Sequence, residues 1–70
     1  MLYYSELVRK VGSGKIRLDP EWLKRYVSEG DTVMLISVGD FAVIIPEKSK
    51  LAKNKELLIE VKKALIELAR

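Results

Sequence analysis

A chain of 70 residues without cysteine or histidine has room for one small domain, and it excludes disulfides, thiolate metal sites and histidine-based catalysis. So short a chain buries only a modest part of its surface. Since disulfides and thiolate metal sites are excluded, we expect association with another chain to stabilise the fold. The net charge of +3 suits either a polyanion such as a nucleic acid or a merely solvated face, and composition does not decide between them.

The charges are unevenly distributed along the chain. Residues 1–30 hold six basic and four acidic side chains, residues 31–47 hold three acidic and no basic ones, and residues 48–70 hold seven basic and three acidic ones. We see no signal-peptide pattern and no apolar run long enough to span a membrane, so we expect a soluble, cytoplasmic protein. The lack of glutamine and the abundance of lysine and glutamate lean toward a thermophilic source, such as an archaeon.

Residues 6–18 predict two short strands joined by a glycine turn. Residues 6–11 and 16–18 alternate as strands do, and the Gly-Ser-Gly between them supplies positive φ angles cheaply. The run Gly-Ser-Gly-Lys fails as a phosphate-binding loop, since Walker A needs serine or threonine where Ile16 follows Lys15. We therefore interpret it as a hairpin turn, whose lysine is free to contact a nucleic acid phosphate.

A two-turn helix is predicted directly after the second of these strands. Asp19 can accept hydrogen bonds from the free N–H groups at its start, and Pro20 suits its first position. Trp22 and Tyr26 are four residues apart, which favours a packed side over a platform for stacking bases. We therefore interpret Asp19 as a structural residue of the helix start.

We predict no catalytic residue, no metal site and no cofactor in this chain, and we do not expect an enzyme.

Residues 32–46 predict a β-hairpin. Two apolar runs flank Gly39-Asp40, a two-residue turn with glycine first, as in type II′. In that register both faces of the hairpin are apolar, so both must be covered, and 70 residues scarcely provide two layers. We therefore predict a homodimer interface in the hairpin. Its predicted residues are Val33, Met34, Leu35, Ile36, Val38, Phe41, Val43, Ile44 and Ile45.

Residues 49–70 predict one amphipathic helix. Its apolar residues fall at the a and d positions of a heptad, and one of these positions is occupied by the polar Asn54. Glu60 and Lys63 are three residues apart, a spacing that allows an ion pair on a helix. Such a helix can cap a core, pair dimers into tetramers or bind another protein, and the pattern leaves these alternatives open. The residues predicted for its packing are Leu51, Leu58, Val61, Leu65 and Leu68.

The order of these elements resembles the AbrB/MazE/SpoVT family. The likeness spans residues 7–47. It is carried by Val8-Arg9-Lys10-Val11, the glycine turn, Ile16-Arg17-Leu18, Pro20-Glu21-Trp22-Leu23-Lys24-Arg25, Glu29-Gly30-Asp31 and the two strands that follow. The resemblance implies a mainly β fold with α, a swapped-hairpin barrel homodimer over residues 1–47. Outside the part that the resemblance covers, we predict that residues 48–70 form a C-terminal helix for oligomerisation, capping or partner binding.

The same resemblance implies a function. Family members mostly bind double-stranded DNA as homodimeric transcriptional regulators, and some are antitoxins. The alternative is therefore an antitoxin-like module that binds a toxin or another protein through its C-terminal helix. The sequence departs from the family pattern where Asp19 stands inserted before the proline. The basic residues at or near the family's DNA-contacting positions are Arg9, Lys10, Lys15, Arg17, Lys24 and Arg25.

Overall fold

The computed structural model describes residues 2–70, which form a mixed α/β structure of helices and one two-stranded antiparallel sheet. In chain order the elements are α1 (Pro20–Tyr26), β1 (Val33–Val38), β2 (Phe41–Pro46), α2 (Lys50–Lys53) and α3 (Lys55–Ala69). The sheet does not close into a barrel within this single chain. In the same residues, no helix has both the length and the apolar character needed to cross a membrane.

The hairpin of β1 and β2 forms in the register that the sequence predicts. The paired residues are Val33–Pro46, Met34–Ile45, Leu35–Ile44, Ile36–Val43, Ser37–Ala42 and Val38–Phe41. Gly39 takes a φ of 57°, and Asp40 after it does not take a positive φ, as a type II′ turn requires. The prediction of the hairpin and its turn is therefore confirmed.

The start of α1 is also as predicted. Pro20 occupies the first turn, and the Asp19 carboxylate accepts the Glu21 N–H at 3.0 Å. The rings of Trp22 and Tyr26 lie 6.3 Å apart, inclined at 42°, along one side of the helix. No residue of α1 is fully buried, so the helix lies on the surface with one side packed.

The strands predicted at residues 6–11 and 16–18, which we call the arms, do not form. Only the turn between them does. Ser13 and Gly14 have φ angles of 54° and 72°, and Gly12 and Lys15 exchange two backbone hydrogen bonds of 3.1 and 2.9 Å. Pairing stops after this bridge because an isolated two-stranded ribbon, with no third strand and no core beneath it, is barely stable in water.

The tail consists of two helices rather than the single one predicted. Asn54 separates them: its backbone N–H bonds to the Leu51 carbonyl, and its side chain accepts the Leu57 N–H at 3.1 Å. Asn54 is exposed, so it caps α3 and does not occupy a heptad core position. An asparagine side chain competes for backbone hydrogen bonds, which favours helix starts over helix interiors. The predicted pair of Glu60 and Lys63 is present at 4.0 Å.

One face of the hairpin is covered by α3. In β1 the even-numbered residues are half-buried and the odd-numbered ones are exposed, and α3 packs along this strand. The buried side chains of the described chain are Ile45 and Leu58. Near the end of α3, the Cβ of Ala69 lies only 3.1 Å from where a Cβ on Gly39 would stand. The helix therefore extends as far as the hairpin turn.

The opposite face of the hairpin is left largely open. Leu35 is 63% exposed, and Val33 beside it is also exposed. Farther along this face, Ile44 and Trp22 border the same shallow cavity of about 330 Å³. The sequence predicts that both faces need covering, and within the single chain α3 packs against only one of them.

The surface of the chain is large for its mass. It exposes 6412 Å², whereas a compact protein of 8.0 kDa exposes about 4,500 Å². The radius of gyration of 13.3 Å likewise exceeds the roughly 11 Å expected for 70 residues. The excess is about 2,000 Å², and exposed apolar side chains lie on the arms, on the open face of the hairpin and on α3.

Candidate nucleic-acid interface

Two of the predicted DNA-contacting residues lie together on the arms. Arg9 and Arg17 line one groove of about 290 Å³, which we call the arm groove, although they are eight residues apart in the chain. The turn at Gly12–Lys15 reverses the chain and brings the two arms side by side. Leu7, Ile16 and Leu18 supply the apolar part of the lining.

Asp19 closes one side of the arm groove. Its carboxylate accepts the Tyr3 hydroxyl at 2.6 Å and the Ser5 hydroxyl at 2.8 Å, in addition to the Glu21 N–H. The bond from Tyr3 is the main cause that lowers the pKa of Asp19 below 3.8, and it raises the pKa of the Tyr3 phenol above 10.0. The one carboxylate in the lining of the arm groove is therefore held by hydrogen bonds.

The basic residues of α1 lie in its last turn, on the exposed side. The guanidinium carbon of Arg25 lies 5.1 Å from the centre of the Tyr3 ring, a cation–π contact that fixes the side chain and leaves its charge intact. Lys24 beside it is exposed. Tyr3 thus contacts Asp19 through its hydroxyl and Arg25 through its ring.

None of the six predicted DNA-contacting residues is engaged by a carboxylate within the described chain. Its ion pairs are Lys48–Asp31, Lys63–Glu60 and Arg70–Glu67. Lys10 and Lys15 are exposed, as are the other four. A cation that has no internal partner can take up an external anion without first breaking an ion pair. The structure places the set on the arms, on the turn between them and on α1, with Arg9 and Arg17 in one groove.

A second basic groove lies between the end of α1 and the turn from β2 to α2. We call it the turn groove; its volume is about 370 Å³, and it is lined by Arg25, Tyr26, Pro46, Lys48, Ser49 and Lys50. The sequence analysis missed the two lysines, because they precede and begin a segment interpreted as an amphipathic helix. One sequence pattern could have pointed to them: basic residues resume at Lys48, directly after residues 31–47, in which every charged side chain is acidic.

Lys48 in this turn forms the shortest ion pair of the described residues. Its ammonium lies 2.7 Å from the Asp31 carboxylate, which also accepts the Ser28 N–H at 2.9 Å. The bond to Lys48, followed by the bond from Ser28, lowers the pKa of Asp31 below 3.8. The pair joins the loop before β1 to the turn after β2.

The predicted dimer residues fall on both faces of the hairpin. Val33 and Leu35 lie on the open face, where they are exposed. Those on the other face lie under or beside α3 of the same chain, and Ile45 is buried there. The residues predicted for helix packing divide in a similar way: Leu58 is buried, Leu51, Val61 and Leu65 are half-buried, and Leu68 is exposed.

No family model matches this sequence. No curated protein and no solved structure matches it either. The likeness to the AbrB/MazE/SpoVT family stays a prediction that rests on the residues quoted above. Among residues 2–70, no group of three or more side chains is arranged to hold a metal ion. The geometry therefore offers basic grooves and open apolar surface as its candidate functional features.

Proposed function

We propose that the chain is a homodimeric DNA-binding protein, with the role of a transcriptional regulator of the AbrB/MazE/SpoVT kind. The dimer is supported by the excess surface of about 2,000 Å² on the single chain. Obligate homodimers bury about 2,000–5,000 Å² in total, or about 1,000–2,500 Å² from each chain. The excess therefore matches what one chain contributes to such an interface.

The arrangement we propose for the dimer is the swapped-hairpin barrel. The open face at Leu35 needs a cover, and the arms need strands to pair with. If the arms of each chain pair with the hairpin of the other, both needs are met at once. The tail helix α3 then stays where it is, on the face of the hairpin that it covers.

The observation that carries the DNA-binding proposal is the shared position of Arg9 and Arg17 in the arm groove. Guanidinium groups bind phosphate oxygens and the edges of guanine, so two of them in one groove suit a nucleic acid strand. The Asp19 carboxylate in the same lining is already occupied by its hydrogen bonds. A two-fold axis would present the groove twice, as a regulator that reads paired half-sites requires.

This proposal is tested by titrating duplex DNA at salt concentrations from about 50 to 200 mM. The wild-type affinity should fall steeply with salt. In the double variant Arg9→Ala with Arg17→Ala, the slope of log K against log salt should become less negative by about 1.8, since each lost phosphate contact removes about 0.9. The matched control is Lys62→Ala with Lys63→Ala, which removes two exposed charges from α3. Absent or salt-insensitive binding by the wild type would contradict the proposal.

A second candidate function is binding of a partner protein through α3. The observation in its favour is the exposure of Leu57 and Leu68, which are 50% and 68% exposed on one flank of the helix. The test is co-expression with the product of an adjacent open reading frame. A stable complex that is lost on Leu57→Asp with Leu68→Asp would support it, and a chain that purifies alone would argue against it.

A further inference from the structure

The lining of the turn groove has three basic side chains and no carboxylate, and one of the three, Lys48, is ion-paired with Asp31 outside the lining. Arg25 reaches it from the last turn of α1, while Lys48 and Lys50 reach it from the turn between β2 and α2. The rest of the lining is the Tyr26 ring, Pro46 and Ser49. Positive groups from two separate parts of the chain thus meet on one groove.

The cations of the turn groove are supported by their neighbours. Arg25 rests on the Tyr3 ring, and Lys48 is held by Asp31 at 2.7 Å. Lys50 begins α2, where the Ser49 hydroxyl accepts the Ala52 N–H at 3.1 Å and fixes the turn. A turn held in this way loses less conformational entropy when it binds a ligand than a free loop would.

Tyr3 connects a residue of the turn groove with a residue of the arm groove. The Tyr3 hydroxyl bonds to Asp19, which lines the arm groove, and the Tyr3 ring contacts Arg25, which lines the turn groove. The two basic grooves are therefore separated by little more than one tyrosine side chain. A polyanion lying in the arm groove has a second set of cations within reach along its length.

We propose that Lys48 and Lys50 form a second contact with the DNA backbone, beside Arg25. This inference rests on the DNA-binding function proposed above and extends its surface from the arms to the turn between β2 and α2. Lysine binds phosphate as a flexible point charge and reads no base edge with bidentate geometry. The contact therefore adds affinity without adding sequence preference.

The test is the double variant Lys48→Ala with Lys50→Ala, titrated with one duplex DNA at salt concentrations from about 50 to 200 mM. We expect the slope of log K against log salt to become less negative by about 1.8, from two lost phosphate contacts at about 0.9 each. The ratio of affinities for two duplexes of different sequence should not change. The single variant Lys50→Ala leaves the Lys48–Asp31 pair in place and should change the slope by about half as much.

The outcomes separate this inference from the function on which it rests. If the wild-type chain binds no DNA, both are overturned. If the wild type binds and Arg9→Ala with Arg17→Ala weakens it, while Lys48→Ala with Lys50→Ala leaves the slope unchanged, only the turn-groove contact is overturned. A change no larger than that of the Lys62→Ala with Lys63→Ala control also overturns it, because the effect would then follow from net charge alone.

Discussion

At the scale of single residues, Asp19 shows what local pattern can and cannot predict. An aspartate directly before a proline predicts a helix cap, and the bond to the Glu21 N–H bears this out. The bonds from Tyr3 and Ser5 come from 16 and 14 residues away. No short-range rule connects positions so far apart. Asp19 thus fastens the N-terminal segment to α1.

Asp19 should make the stability of this protein depend on pH. Its pKa in the folded chain lies below the ordinary value of 3.8, so the ionised form stabilises the fold. This contribution is complete at pH values well above 3.8 and is lost as the pH falls through the lower, folded pKa. We expect Asp19→Asn to lower the urea midpoint at pH 7, with a difference from wild type that shrinks toward pH 3. Trp22 fluorescence provides the measurement.

The matched control for that experiment is Asp40→Asn. Asp40 lies in the hairpin turn, and the hydroxyls of Tyr3 and Ser5 bond to Asp19 and not to Asp40. Its replacement should leave the pH dependence of the urea midpoint as it is in the wild type. A difference between Asp19→Asn and wild type that is the same at pH 7 and pH 3 would refute a role for the ionised carboxylate.

At the scale of elements, the position of α3 is fixed where it meets the hairpin turn. Gly39 needs its positive φ of 57° for the turn, and Ala69 stands close to the place a side chain would fill. The glycine therefore meets two requirements at once. A two-residue turn with glycine predicts the first of them from sequence, and only the packed helix reveals the second.

Gly39→Ala should consequently destabilise the fold by about 1–2 kcal/mol from the left-handed backbone alone, with the crowding against Ala69 added to that. Gly12→Ala is the matched comparison, because nothing lies within 4 Å of the Cβ it would add and its φ is not positive. Gly12→Ala should be close to neutral. Thermal unfolding of both variants checks this, and equal losses would refute the close contact of α3 with the turn.

The elements differ in how far the sequence predicts them, and the reason is where their partners lie. The hairpin register follows from a turn and from pairing between neighbours in the chain, so it is predicted correctly. The arms have strand-like sequences but no partner strand within the chain, so they stay irregular. Asn54 divides the tail because a capping hydrogen bond prevails over apolar periodicity. The turn groove combines Arg25 and Tyr26 of α1 with residues that lie twenty or more positions later in the chain, which local patterns do not reveal.

At the scale of the whole molecule, the single chain has a very small core. Ile45 and Leu58 are its buried side chains, and the apolar residues of the arms remain exposed. A fold of 70 residues with so little buried surface is marginal by itself. Its stability should therefore depend on association, and that association should be visible in how the chain unfolds.

We expect the thermal midpoint to rise with protein concentration, as it does when folding and association are linked. Light scattering should give twice the chain mass of 8.0 kDa for the wild type and 8.0 kDa for Leu35→Asp, which places a charge on the open face. Asn54→Asp is the control, since it adds the same charge at an exposed cap and keeps the capping oxygen. A wild-type chain of 8.0 kDa with a concentration-independent midpoint would refute the dimer.

The separation of the core from the arms has a consequence for proteolysis. The two buried residues lie in β2 and α3, which only the short helix α2 separates in the chain, so the unit of hairpin and α3 forms from local contacts and closes rapidly. In the dimer that we propose, the arms would acquire their partner strands only by a bimolecular encounter, which becomes slower as the chain is diluted. At low abundance the arms would be cleaved first, at Arg9, Lys10 and Arg17, by a trypsin-like protease. A newly made pool of this protein would then lose its basic arms before it lost its fold.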